Sequence, residues 1–166
     1  MWFIRTVKGV LAVVRVPTVS KPEVQALAAR AWVSHMLGTL GFLQGKFGEQ
    51  SVKAYIDWMG SQTAKKFKAA RASSPAKFAE ANALTAKNVY GGKVKLKTGP
   101  DRAILRITEC GWLKALTELP ASIRAPREDY CDGCLAFFSV VAANLGLNLK
   151  GKLLEKGCRM AVRKKA

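Results

Sequence analysis

Between residues 20 and 90 the apolar positions recur every three or four residues, and after Gly91-Gly92 they begin to alternate. The first pattern predicts helices and the second half-buried strands. Ser20-Lys21-Pro22-Glu23 carries a serine followed three residues later by a glutamate, the signature of a capping box. It opens a helix predicted to reach about Leu43, where Gly41 and Gly45 weaken it. Val24, Leu27, Ala28, Ala31, Trp32, His35 and Met36 form its apolar stripe. A second helix is predicted over residues 47–72, with Val52, Tyr55, Ile56, Met59, Thr63 and Phe67 facing inward. Ser73-Ser74-Pro75 stops it. Ser74 then caps a third helix, residues 75–90, with proline at the favoured first position.

Residues 93–97 alternate lysine with Val94 and Leu96, and residues 102–109 form a second strand with Ala103, Leu105 and Ile107 on one face. Thr98-Gly99-Pro100-Asp101 is the turn between them. A short helix over 111–119, a loop over 120–126 and a helix over 130–145 capped by Asp129 follow. A last hairpin pairs 150–154 with 158–163 across Glu155-Lys156-Gly157. This order predicts an α+β domain, with a helical N-terminal half packed on an antiparallel sheet made of two hairpins. Residues 1–19 read as an apolar and basic segment ahead of a single domain at 20–166. The longest uninterrupted apolar run of that segment, residues 10–14, is too short to span a bilayer and lacks a cleavage-site pattern, so a cytoplasmic location is expected.

Charge changes the picture. Lys and Arg number 28 against 11 Asp and Glu, a net charge of +17. Such a field attracts polyanions, whether nucleic acid or an anionic membrane surface. A nucleic-acid-binding reading uses Lys65, Lys66, Lys93, Lys95, Lys97, Arg163 and Lys164 as phosphate contacts. Lys93, Lys95 and Lys97 share one strand face. The aromatics fall mostly at core positions, which argues against base stacking. In a third reading the chain is a subunit of a larger assembly, meeting a protein partner through residues 1–19.

The candidate chemistry lies in four cysteines: Cys110, Cys131 and Cys134 as a C-x-x-C, and Cys158. Four thiolates suit a tetrahedral zinc site or an iron–sulfur cluster. Cys110 falls at a strand end, Cys131 and Cys134 in the first turn of a helix, and Cys158 at a strand start. These positions converge if both hairpins share one sheet, with Cys134 as the fourth ligand. Amides at a helix N-terminus would then favour the thiolates of the C-x-x-C. His35, the only histidine, and Cys131 are the catalytic candidates. The chain has no phosphate-binding glycine loop, no H-E-x-x-H and no G-x-S-x-G.

The stretch VKLKTGPDRAILRITECGWLKALTEL, followed by EDYCDGCLAFFSVVAANLGLNLKGKLLEKGCRMAVRKK, resembles the L-2-amino-thiazoline-4-carboxylate hydrolase-like family. It is less closely similar to the 4-vinyl reductase domains. The likeness lies in a strand ending in cysteine, a cysteine-bearing helix start and a closing hairpin with cysteine after its turn. It implies a small-molecule pocket between helices and sheet, and hydrolysis of a cyclic, non-peptide C–N bond. It also implies metal-ligand roles for Cys110, Cys131 and Cys158. The chain departs from the family in its strong positive charge and in Arg159 and Met160 after the last cysteine.

Overall fold

A computed structural model describes residues 18–165, so nearly all of the apolar N-terminal segment, with the partner contact expected of it, lies outside the described residues. The chain runs α1 (Lys21–Phe47), α2 (Glu49–Ala69), α3 (Pro75–Asn88), β1 (Lys93–Thr98), β2 (Arg102–Glu109), α4 (Gly111–Glu118), α5 (Arg127–Asn144), β3 (Leu147–Leu154) and β4 (Gly157–Lys164). The expected α+β architecture is present. Both hairpins join one antiparallel sheet of order β1-β2-β4-β3, closed in the middle by β2 against β4. No described helix is long and apolar enough to cross a membrane.

Strand alternation divides the sheet into two faces. Ala103, Leu105 and Ile107 of β2 and Met160 and Val162 of β4 point inward and are buried. α3 lays Phe78, Ala79 and Ala83 on this face, and α5 lays Val141, Ala142 and Leu145 beside them. α1 and α2 form a helical hairpin beyond that layer, with α2 packed on α5 and α1 on α4. No described element packs on the outer face of the sheet, so its side chains meet solvent.

The helix starts follow local chemistry. The Ser20 N–H donates to the Glu23 carboxylate at 2.7 Å, as a capping box requires, and the Ser20 hydrogen bonds hold that carboxyl below its usual range. The Lys77 N–H donates to Ser74 Oγ at 3.2 Å, with Pro75 opening α3. α1 continues through Gly41 and Gly45 to Phe47, past the expected end at Leu43. Its buried line is also rotated from the predicted stripe. Ala29 and Val33 are buried, whereas Val24 and Leu27 are half exposed to solvent, at 50% and 53%. His35 is exposed on the same side.

Backbone contact requires glycine most strictly at positions 111 and 157. A Cβ on Gly111 would collide with the Tyr90 carbonyl, and one on Gly157 with the Ile107 carbonyl. Both flank cysteines and hold the ends of β2 and β4 tightly against their neighbours. Gly111→Ala is expected to destabilise the fold by at least about 2 kcal/mol, because the clash is with backbone that cannot swing away. Gly45→Ala, on an open stretch of α1 with nothing near its Cβ, should instead stabilise by roughly 0.5–1 kcal/mol. Urea unfolding of both variants measures the pair, and equal effects would contradict the packing described.

Candidate functional site

The cysteines are brought together by three local arrangements. β2 ends at Glu109, and the N–H of the next residue, Cys110, donates to the Lys156 carbonyl at 2.8 Å, tying the strand end to the β3–β4 turn. Cys158 lies next to that turn on β4, opposite Ile107 in the β2–β4 register. α5 begins near the same turn, where the Arg127 guanidinium donates to the Leu154 carbonyl. Its early turns therefore present Cys131 and Cys134 to the strand ends.

The four thiols share one neighbourhood. Every pair among them opposes its own joint ionisation through charge repulsion. Burial is the larger effect at each. It raises Cys110 and Cys131, pushes Cys158 up to about 12, and lifts Cys134 well above the ordinary thiol value. The hydroxyl of Tyr130 is raised as well, first by burial and then by the sulfurs of Cys134, Cys110 and Cys131.

The helix-terminus expectation applies to a different cysteine. α5 starts at Arg127 rather than Tyr130, so Cys131 and Cys134 lie beyond its first turn and their amides serve the helix ladder. Asp129 sits inside that first turn instead of capping it. Cys110 occupies the N-cap of α4, where the backbone N–H groups of Leu113 and Trp112 favour its thiolate without reaching capping geometry. Burial outweighs them.

Among the described residues, no group of three or more His, Cys, Asp or Glu side chains is disposed to hold a metal ion. The four cysteines converge in a shared, largely apolar setting. His35, exposed on α1, lines neither cavity described below and takes no part in the site.

Sequence reading missed the aromatic partners of the cysteines. Trp112, two residues after Cys110, stacks between Trp32 at 5.9 Å and Phe138 at 6.4 Å, with Tyr90 tilted against it at 4.8 Å. Its indole Nε1–H is buried without a hydrogen-bond partner. Burial raises the Tyr90 hydroxyl above its ordinary range; the Trp112 indole beside it works the other way, without meeting the oxygen in bonding geometry. The only local signal was the C-G-W sequence itself.

Trp112 and Cys134 line two adjoining cavities. The larger, about 710 Å³, also draws on Trp32, Met36, Ile56 and Tyr130. The smaller, about 50 Å³, is bounded by Tyr90, Cys110, Phe138 and Cys158. The basic candidates do not form one track. Lys95, Lys97 and Arg163 lie on the outer sheet face, while Lys65 and Lys66 lie on α2, on the far side of α5 from the sheet. Lys93 is paired with Glu109 and Lys164 with Asp101, at 2.8 and 2.9 Å.

No protein-family model matches the chain, and no curated protein is significantly similar to it. The raised thiols give a direct chemical expectation. Only the thiolate attacks an alkylating agent, and each unit of upward pKa shift removes about nine-tenths of it at neutral pH. Iodoacetamide at pH 7.5 should therefore modify the native cysteines at least about tenfold more slowly than those of the urea-unfolded chain. The native rate should keep climbing above pH 9, where the unfolded rate levels off. Rapid native modification of Cys131 or Cys134 would identify a reactive redox pair and contradict this account.

Proposed function

We propose that the chain is a small-molecule-binding domain whose ligand sits against Trp112, in the apolar, thiol-edged space between the α1–α2 hairpin, α4 and α5. The observation that carries this reading is the buried Trp112 Nε1–H without an acceptor. Burying a donor unpaired costs about 1–3 kcal/mol, and a ligand acceptor would remove that cost once a small shift of the neighbouring side chains lets it reach the N–H. The adjoining volume of about 710 Å³ is of the size that small-molecule sites use. Its walls are mainly aromatic and aliphatic, with Glu49, Arg124 and Asp129 among the polar groups, which suits a flat, largely apolar ring carrying one acceptor.

The likeness to the thiazoline-carboxylate hydrolases would extend binding to cleavage of a cyclic C–N bond. The small cavity offers desolvated thiols together with Tyr90, Asn82 and Thr85, while the carboxylates of Glu49 and Asp129 line the larger cavity. Ligand binding is the part of the resemblance that we carry forward.

Quinoline and naphthalene test the reading, since they share a shape and differ by one ring acceptor. Calorimetry should show quinoline binding about tenfold more tightly to the native protein, the worth of one well-made buried hydrogen bond. Trp112→Phe keeps an aromatic ring and removes the donor, so it should abolish that preference while retaining naphthalene. Equal affinity of the native protein for the two compounds, or binding of neither, would overturn the proposal.

A further inference from the structure

The outer face of the sheet is a continuous basic surface that becomes visible only when the strands are placed side by side. Register sets Lys95 opposite Arg106, Arg106 opposite Arg159, and Arg159 opposite Lys152, one cation from each of the four strands in a single row. In the next row, Lys97 and Lys150 flank Ile104 and Ala161. Beyond it, Arg102 pairs with Arg163. All of these Lys and Arg side chains are exposed, and none has a carboxylate partner among the described residues. The nearest acidic groups, Glu109 and Asp101, lie at strand ends and are already paired with Lys93 and Lys164.

So many like charges on one face repel one another and weaken the sheet, since opposed like charges on neighbouring strands are destabilising. Solvation alone does not call for such alignment, because cations interspersed with carboxylates would be equally soluble. The spacing is regular. Neighbouring strands lie about 4.8 Å apart, and alternate residues along a strand about 6.8 Å apart. The result is a two-dimensional grid of donors, half of it arginine, whose planar fork suits phosphate oxygens.

We propose that this face docks the phosphodiester backbone of a double-stranded nucleic acid, without reading its sequence. Two observations select this occupant. The face has no aromatic side chain on which an unpaired base would stack, which argues against a single strand. None of the exposed large apolar residues of the described chain lies in a strand, so the face lacks the apolar anchors with which interfacial proteins enter a membrane. What remains is an electrostatic footprint for phosphates. The surface lies on the opposite side of the sheet from the Trp112 cavity, and the proposal stands independently of the ligand reading.

The test is fluorescence anisotropy of a labelled mixed-sequence 20-base-pair DNA duplex with the full chain, between 50 and 200 mM salt. Neutralising about four to six phosphates gives a log–log salt slope of roughly −3.6 to −5.4, an affinity loss of at least about 100-fold over that range. Arg106→Glu with Arg159→Glu should weaken binding by at least about tenfold at 50 mM salt and reduce the slope magnitude by about two. Lys65→Glu with Lys66→Glu makes the same change in net charge on α2 and should stay within about threefold of the native protein. Thermal melts check that both variants fold. If the double glutamate variant does not, Arg106→Gln with Arg159→Gln replaces it, with the same expected fall in slope. Equal weakening by the two pairs would show diffuse charge and overturn the proposal. So would a flat salt dependence, tighter binding of the single strand, or a preference for phosphatidylserine vesicles over the duplex.

Discussion

β2 and β4 belong to hairpins separated in the chain by α4 and α5, and their antiparallel pairing sets Leu105 opposite Met160 and Arg106 opposite Arg159. That register determines both sides of the molecule. Because side chains alternate along a strand, a slip by one residue would carry the arginines into the apolar interior and the core residues into water. Burial of Leu105, Met160 and Val162 under α3 and α5 enforces the register. The basic grid on the outer face follows from it with no further interaction.

The same joint assembles the cysteine region. Pairing β2 with β4 brings the end of one hairpin to the turn of the other, where the Cys110 N–H meets the Lys156 carbonyl. Gly111 and Gly157 permit the close backbone contacts on either side. α4 can then leave β2 at once, which carries Trp112 beneath α1 and against Tyr90. Thiols, indole and cavity are thus consequences of one tight corner. Their setting is largely apolar, and burial raises the thiols above their ordinary value.

Much of the fold was legible in the sequence because alternation and helical spacing are local properties. The inward set Ala103, Leu105 and Ile107, and the cap at Ser74, could be read directly. Convergence of the cysteines could also be inferred, since strand ends and a helix start must meet if the hairpins share a sheet. Three features were not legible. The rotation of α1 depends on where α4 packs, so His35 lay on the predicted stripe yet faces water. α5 begins three residues before Tyr130, after Pro126, which moves the C-x-x-C out of the first turn. An unpartnered indole N–H is a property of its surroundings, and no sequence spacing encodes it. The basic face was seen only in fragments, because Lys95, Arg106, Arg159 and Lys152 become neighbours only through the strand order.

One sheet separates two surfaces, the cavity beside Trp112 on its inner side and the basic face on its outer side, to which the two proposals assign different ligands. Chemical-shift mapping of the isotope-labelled protein, titrated separately with quinoline and with the DNA duplex, tests this most directly. The account predicts two disjoint sets of perturbed residues. Quinoline should shift the Trp112 indole N–H together with Tyr90, Cys110 and Cys134, and the duplex should shift Lys95, Arg106, Arg159 and Lys152. Overlapping sets, or duplex-induced shifts concentrated on α2 instead of the strands, would contradict it.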